Sequence, residues 1–126
     1  MKKGKIAIPS DGSGGLDGHR AGHFGHCDVF TLVDVEDGKI TNVSVAPNQE
    51  HSEGGCLVPV NILANLKVDA LIVGGMGMRP LMGFNEVGIE VYFDTKHPGI
   101  RDVVEELMAG KLPKMSADQA CSGGHH

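Results

Sequence analysis

The sequence has 126 residues, a length that predicts one domain. The formal net charge is −5 and the longest basic cluster lies at residues 2–5, so we expect no nucleic-acid partner. No apolar run approaches the ~20 residues that span a bilayer, and no segment after Met1 resembles the apolar part of a secretory signal, so we expect no membrane partner. The three cysteines form no C-x-x-C pair, which argues against a disulfide framework or a zinc ribbon and predicts a reducing, cytoplasmic location.

Short apolar and β-branched runs predict five strands. The second and third runs flank Glu36-Asp37-Gly38, and an Asp-Gly pair between such runs predicts a hairpin because glycine accepts the positive φ of the turn. The fourth run is almost wholly apolar, as expected for a strand covered on both faces. In chain order, the predicted strands are residues 5–9, 28–35, 39–46, 68–73 and 89–93.

Three helices are predicted between and after these strands, at 56–67, from the glycine turn at 74–77 to about Gly88, and at 98–109. The last has an apolar stripe at helical spacing, and Gly110 is its expected terminator. A strand–helix–strand unit makes a parallel crossover whereas a hairpin is antiparallel. The element order therefore predicts an α/β fold with a five-stranded mixed sheet flanked by helices, in a domain over 1–112 followed by a flexible tail at 113–126.

Glycine makes up 19 of the 126 residues, about twice its ordinary share, and most of it lies in three loops. The loops after the first and fourth strands belong at the carboxyl end of the sheet, where α/β proteins bind ligands. Gly74, Gly75 and Gly77 precede a helix start, whose free N–H groups attract anions, and Arg79 can face a bound anion. An ordinary tight turn is the alternative.

Side chains that bind soft metals lie in the same loops. Buried cysteine or methionine can equally be core packing, and loop histidines can be merely solvated. We expect residues 11–26 and 47–55 to be disordered without ligand. The candidates are His19, His23, His26 and Cys27 in the first loop, His51 and Cys56 in the second, and Met76 and Met78 in the third; Cys121, His125 and His126 form a separate group, of which the His pair can be a tag remnant.

Several stretches resemble the dinitrogenase iron–molybdenum cofactor biosynthesis family, the NifX-like and NafY-like carriers and the C-terminal domain of many NifB proteins. The resemblance covers roughly residues 4–112 and rests on His23-Phe24-Gly25, DVFTLVDVEDGKI, VDALIVGGMGMRPL and GIEVYFDT. It implies an RNase H-like three-layer fold and a non-enzymatic protein that carries or stores an anionic metal–sulfide cluster. The cluster would be of the iron–sulfur, iron–molybdenum or molybdenum–copper type, the last being held by a relative, the orange protein, and a donor or recipient protein of cluster assembly would be its partner.

The resemblance also assigns site residues. Together with the loop chemistry it predicts cofactor binding by His23, Gly25, Gly74, Gly75, Met76, Gly77, Met78 and Arg79, and metal ligation by His26, Cys27, His51 and Cys56. Met78 stands where the family often has proline, and residues 26–28 lack the family's usual arginine. Two alternatives stay open: a copper or zinc metallochaperone that uses His, Cys and Met ligands alone, and a nucleotide- or flavin-binding enzyme, which the missing G-x-G-x-x-G pattern disfavours.

Overall fold

The computed structural model describes residues 3–21, 27–47, 57–76, 78–94, 96 and 98–114, with the backbone alone for helix residues 57–59 and 78–80. In this part of the chain the strands and helices follow one another in the predicted order. They are β1 (Lys3–Ser10), β2 (Val29–Glu36), β3 (Lys39–Pro47), α1 (Leu57–Asn65), β4 (Ala70–Val73), α2 (Met78–Glu86), β5 (Glu90–Phe93) and α3 (Ile100–Met108). Among the described helices, none is long and apolar enough to cross a membrane.

The five strands form one mixed sheet in the order β3-β2-β1-β4-β5, which confirms the predicted fold class. The pairs β1–β2 and β2–β3 are antiparallel, whereas β4 is parallel to both β1 and β5. In the β2–β3 hairpin, Glu36 pairs with Lys39 across a two-residue turn. Asp37 and Gly38 have φ values of 53° and 77°, the positive φ at both turn positions that a type I′ hairpin requires.

Helices cover both faces of the sheet, so the molecule has the three layers that were expected. On the first face, Val60 and Leu63 of α1 and Leu81 and Phe84 of α2 share one buried cluster with inward residues of the sheet such as Leu71. Among the described helices, α3 covers the second face. Its apolar stripe is buried against the alternate residues of the same strands, in a cluster formed by Ile6, Ile8, Val33, Val35, Ala70, Ile72, Ile100, Val103, Val104 and Leu107.

The parallel strands β1, β4 and β5 all end at the same edge of the sheet. The connections that follow two neighbouring strands lead from that edge to opposite faces of the sheet. β4 leads to α2 on the first face, and β5 leads to α3 on the second. In α/β sheets, such a divergence opens a crevice beyond the carboxyl ends of the strands. The divergence therefore lies at the carboxyl end of the sheet, where the sequence predicted the ligand-binding loops.

The loop after β1 is ordered over residues 11–21, so the expected disorder of 11–26 is wrong for that part. The N–H of Asp11 donates to His19 C=O at 3.0 Å. At the start of α3, the N–H groups of Ile100 and Arg101 donate to the carbonyls of Gly18 and Leu16, both at 3.2 Å. The loop thus supplies the acceptors that the first turn of a helix lacks. Residues 22–26 and 48–55 lie outside the described residues.

The described part of the chain continues after α3 to residue 114. Gly110 has φ 75°, and the N–H groups of Gly110 and Lys111 donate to Leu107 and Glu106, which is a Schellman motif and confirms the predicted helix end. The N–H of Phe93 then donates to Pro113 C=O at 2.9 Å. The ordered chain therefore extends two residues beyond the predicted boundary at 112, because these residues pair with the open edge of β5; residues 115–126 lie outside the described part.

Candidate functional site

The glycine turn leads from β4 into α2 at the carboxyl end of the sheet. β4 ends at Val73 and α2 begins at Met78, while Gly74 and Gly75 between them are half-buried. The first turn of α2 contains no acidic residue, so no carboxylate of its own neutralises the N–H groups exposed there. Gly77 lies outside the described residues, and Met78 and Arg79 are the first two residues of α2.

Met76 is completely buried. It belongs to the apolar cluster of the first face, together with Phe84 and Val73. This placement is what the core-packing alternative predicts for Met76. A cofactor-binding role for its sulfur stays a prediction.

Cys27 is also buried, with 6% of its surface exposed, in the same apolar cluster. The N–H of Asp28 donates to Ser10 C=O at 3.0 Å, which holds Cys27 beside the end of β1. Burial raises the pKa of the Cys27 thiol to about 11, although backbone hydrogen bonds at Ser10 and Cys27 partly oppose this. Since metal ligation requires the thiolate, the thiol must lose a proton before it can bind a metal as predicted.

The remaining predicted ligands fall outside the described residues, but the chain on either side of them is placed. His23, Gly25 and His26 lie between Ala21, whose N–H donates to Pro9 C=O at 2.8 Å, and Cys27. Both ends of this segment are therefore at the end of β1. His51 and Cys56 lie in the segment between the end of β3 and the start of α1, and Cys56 directly precedes Leu57 of α1. Within the described residues, no three His, Cys, Asp or Glu side chains gather as a metal site.

The structure also reveals an ion pair that the sequence analysis missed. The Nη2 atom of Arg20 lies 3.5 Å from the Oδ2 atom of Asp94, and the two side chains are only 7% and 3% exposed. Asp94 directly follows β5, and its N–H donates to Val73 C=O at 2.9 Å. No periodicity connects two residues 74 positions apart; the available signals were an acidic residue directly after an apolar strand and a single arginine in a glycine-rich loop.

A buried hydroxyl pair attaches the glycine-rich loop to the sheet. The hydroxyls of Ser10 and Thr31 are 2.7 Å apart and fully buried. Thr31 Oγ1 also accepts the N–H of Gly15 at 3.0 Å. The loop is thereby held to both β1 and β2.

The fold is that of an α/β domain whose mixed five-stranded sheet is covered by helices on both faces. The sequence model of the family described as "Dinitrogenase iron-molybdenum cofactor" matches residues 4–110. The chain belongs to this family, which confirms the resemblance noted from the sequence.

Individual relatives agree with this assignment. The uncharacterized protein MJ0580 of Methanocaldococcus jannaschii is 30% identical over 116 residues, which cover 90% of this chain and 93% of that protein. The apo form of the orange protein from Desulfovibrio gigas superposes with a TM-score of 0.78 at 25% identity, over 92% of this chain and 94% of that one. The crystal structure of PH0822 gives a TM-score of 0.75 at 27% identity, over 88% of this chain and 96% of that one.

Proposed function

We propose that this protein binds an anionic metal–sulfide cluster in the crevice beyond β1, β4 and β5, and carries or stores it without catalysing a reaction. The observation that carries the proposal is the divergence of the chain at that edge, to α2 on one face and α3 on the other. The crevice is bordered by Gly74 and Gly75 and by the start of α2. Glycine backbone permits close approach, and a helix N-terminus offers N–H donors to an anion.

Local charge supports an anionic ligand although the whole chain carries −5. The side chain of Arg20 is buried at this edge of the sheet beside Asp94, so it offers a directed donor and not a net charge, and Arg79 is the second residue of α2. A positive charge at the start of α2 acts at short range, where the local field rather than the net charge of the chain determines binding. His23 and His26, between the placed residues Ala21 and Cys27, are the candidates to bind or hydrogen-bond the cluster.

Burial keeps the Cys27 thiol protonated until a metal displaces its proton, so a thiolate bond from Cys27 would carry that cost. With its pKa raised to about 11, the thiol is neutral at physiological pH. A cluster that brings its own sulfide ligands needs donors and positive charge from the protein, whereas a copper or zinc ion needs deprotonated ligands. We accordingly infer a carrier that exchanges an intact cluster with donor and recipient proteins of cluster assembly, in the cytoplasm.

Reconstitution tests the proposal directly. The protein is incubated with tetrathiomolybdate alone, with tetrathiomolybdate and Cu(I), and with iron and sulfide, and then passed over a gel-filtration column. We expect visible charge-transfer absorption to elute with the folded protein in at least one of these samples. Folded protein, as judged by circular dichroism, that retains none of the three would refute the proposal, and a flavin spectrum of the native protein would favour the enzyme alternative.

A matched pair of arginine variants separates an anionic cluster from a simple cation. Arg79 and Arg101 each occupy the second position of a helix, in α2 and α3, but only α2 starts at the glycine turn. Arg79→Met should weaken tetrathiomolybdate binding by about tenfold, the cost of losing one charged hydrogen bond, while Arg101→Met leaves it unchanged. Zn²⁺ or Cu⁺ binding should not weaken in either variant. If the protein were instead a metallochaperone, it would bind these ions, and Arg79→Met would not change its affinity for tetrathiomolybdate.

A further inference from the structure

The backbone of Arg20 extends the sheet directly beyond the end of β4. Ser10 pairs with Val29 of β2 on one side and forms an antiparallel bridge with Arg20 on the other. That second side is the one on which β1 pairs with β4, and β4 ends at Val73. Arg20 therefore occupies the position that β4 would reach if it continued.

On its other side, Arg20 faces the chain that leaves β5. Its N–H donates to Pro98 C=O at 2.7 Å, and the preceding residue, His19, forms a bridge with Gly99. Arg20 thus lies between the end of β1 and the segment that leads to α3. This is the edge of the sheet at which the chain diverges to opposite faces.

The guanidinium of Arg20 is buried but incompletely paired. Among the described residues, its contacts are the 3.5 Å ion pair with Asp94 and a 3.3 Å hydrogen bond from Nη1 to the carbonyl of Ala21. Within the described residues, the buried Nε atom has no hydrogen-bond partner. An arginine has five N–H donors, and a buried donor without an acceptor costs free energy, so the Nε–H of Arg20 is available to an acceptor at this edge of the sheet.

We propose that Arg20 is an anion-binding residue of the crevice, whose Nε–H donates to a sulfur or oxygen atom of a bound thio- or oxometallate, while Asp94 orients the guanidinium. The inference rests on the proposed function and assigns it a specific donor. Asp94 makes the buried pair neutral in the absence of ligand, which permits a guanidinium to remain out of water. Selectivity then comes from a directed donor and not from net charge, because the pair as a whole carries none.

Two sets of variants remove the donor without leaving a buried charge unpaired. Arg20→Lys keeps the positive charge opposite Asp94 but lacks Nε–H. The double variant Arg20→Met/Asp94→Leu replaces both partners by apolar side chains, an exchange that proteins often tolerate. The matched control is Arg101→Met, which removes an arginine from the exposed 3.4 Å pair with Asp17.

The probe is tetrathiomolybdate alone, followed by its visible absorption. We expect both Arg20 variants to bind it about tenfold more weakly or worse, as for the loss of a charged hydrogen bond, and the Arg101 control to bind it like the wild type. Equal affinity of wild type and both Arg20 variants would overturn the inference and leave the proposed function standing. Failure of the wild type to bind any of the reconstitution mixtures would instead overturn the proposed function, and this inference with it.

A second readout needs no variant to bind ligand. In ¹⁵N–¹H spectra, the Nε–H signal of Arg20 is assigned as the one that disappears in Arg20→Lys, or by assigning the signals of the other arginines first. This signal is then followed in the wild type during the titration. A new hydrogen bond to the anion should shift this signal, whereas a purely structural arginine would keep its position. A signal that stays in place at saturating tetrathiomolybdate would refute the assignment even if the variants failed to fold.

Discussion

At the residue scale, Gly14 is a position in the loop at 11–21 that combines a left-handed backbone with no room for a side chain. Its φ is 70°, and an added Cβ would lie 2.8 Å from Thr31 Oγ1 and 2.9 Å from Val29 Cγ2. Gly12 has a similar φ of 65° but nothing within 4 Å of an added Cβ. The two glycines therefore separate backbone strain from steric overlap.

We predict that Gly14→Ala lowers the free energy of unfolding by about 2–4 kcal/mol, the sum of left-handed strain and overpacking. Gly12→Ala, with strain alone, should cost about 1 kcal/mol. Urea denaturation of both variants measures the difference. Equal losses would mean that Thr31 and Val29 move aside at no cost.

Cys27 makes a second prediction at this scale, for alkaline pH. The thiol has a pKa of about 11 in the folded protein against 9.0 for an unperturbed cysteine. Its neutral form is favoured by folding, so this stabilisation is complete below pH 9 and is lost as the pH rises through 11. The loss amounts to at most about 3 kcal/mol at 1.36 kcal/mol per pKa unit.

Cys27→Ala removes this titration while the other groups stay in place. We expect the stability advantage of the wild type over Cys27→Ala to be constant from pH 7 to 8.5 and to shrink between pH 9 and 11. Urea denaturation at several pH values measures both proteins under identical conditions. Parallel stability curves over the alkaline range would contradict a buried thiol with a raised pKa.

At the scale of elements, the edge of β5 is covered by the chain that follows α3. The N–H of Phe93 donates to Pro113 C=O, Tyr92 forms a bridge with Lys114, and Lys114 Nζ lies 2.7 Å from Glu90 Oε2. This contact holds the pKa of Glu90 below and that of Lys114 above the usual values. An uncovered strand edge exposes hydrogen-bonding groups to other chains.

Two truncations test this cover. A chain ending at residue 114 should match the stability of the full sequence, whereas one ending at 112 should lose about 1 kcal/mol for the missing backbone hydrogen bond. The shorter chain should also self-associate more at high concentration, as measured by sedimentation velocity. Identical behaviour of the two truncated chains would show that residues 113–114 contribute nothing to the edge.

At the scale of the whole molecule, one sheet is shared by two apolar clusters. Neighbouring residues of β1, such as Ile6 and Ala7, are buried in opposite clusters. Both helical layers therefore pack against the same strands, and loss of either layer would expose apolar residues of the shared sheet. Tyr92, the one tyrosine in a chain without tryptophan, packs against the α3 cluster. Its fluorescence therefore reports on the second face.

We predict that tyrosine fluorescence and far-ultraviolet circular dichroism follow a single urea transition, as expected for a two-state domain of this size. Phe84→Leu, a change on the first face that should cost on the order of 1 kcal/mol, must shift both signals equally. A tyrosine transition that does not move in this variant would mean that the two layers unfold independently.

Features that depend on neighbouring residues could be predicted from the sequence. Alternation and apolar runs predicted the strands, Asp37-Gly38 the hairpin, and Gly110 the end of α3, because turn geometry and helix caps are set within a few residues. The motifs around His23 and Gly74 were enough to recognise the family. For Cys27 and Met76 the sequence left ligation and packing as alternatives, since their burial depends on elements far away in the chain.

The way in which distant segments meet could not be predicted from the sequence. The Arg20–Asp94 pair, the hydrogen bonds from α3 to the carbonyls of Leu16 and Gly18, and the contact of Pro113 with β5 join residues that no local pattern connects. A glycine-rich stretch suggests disorder when it is read alone, and it becomes ordered here because a helix start and a strand edge need hydrogen-bond partners. The backbone contacts of Arg20 place its buried guanidinium beyond the end of β4, at the sheet edge from which β4 and β5 lead to helices on opposite faces.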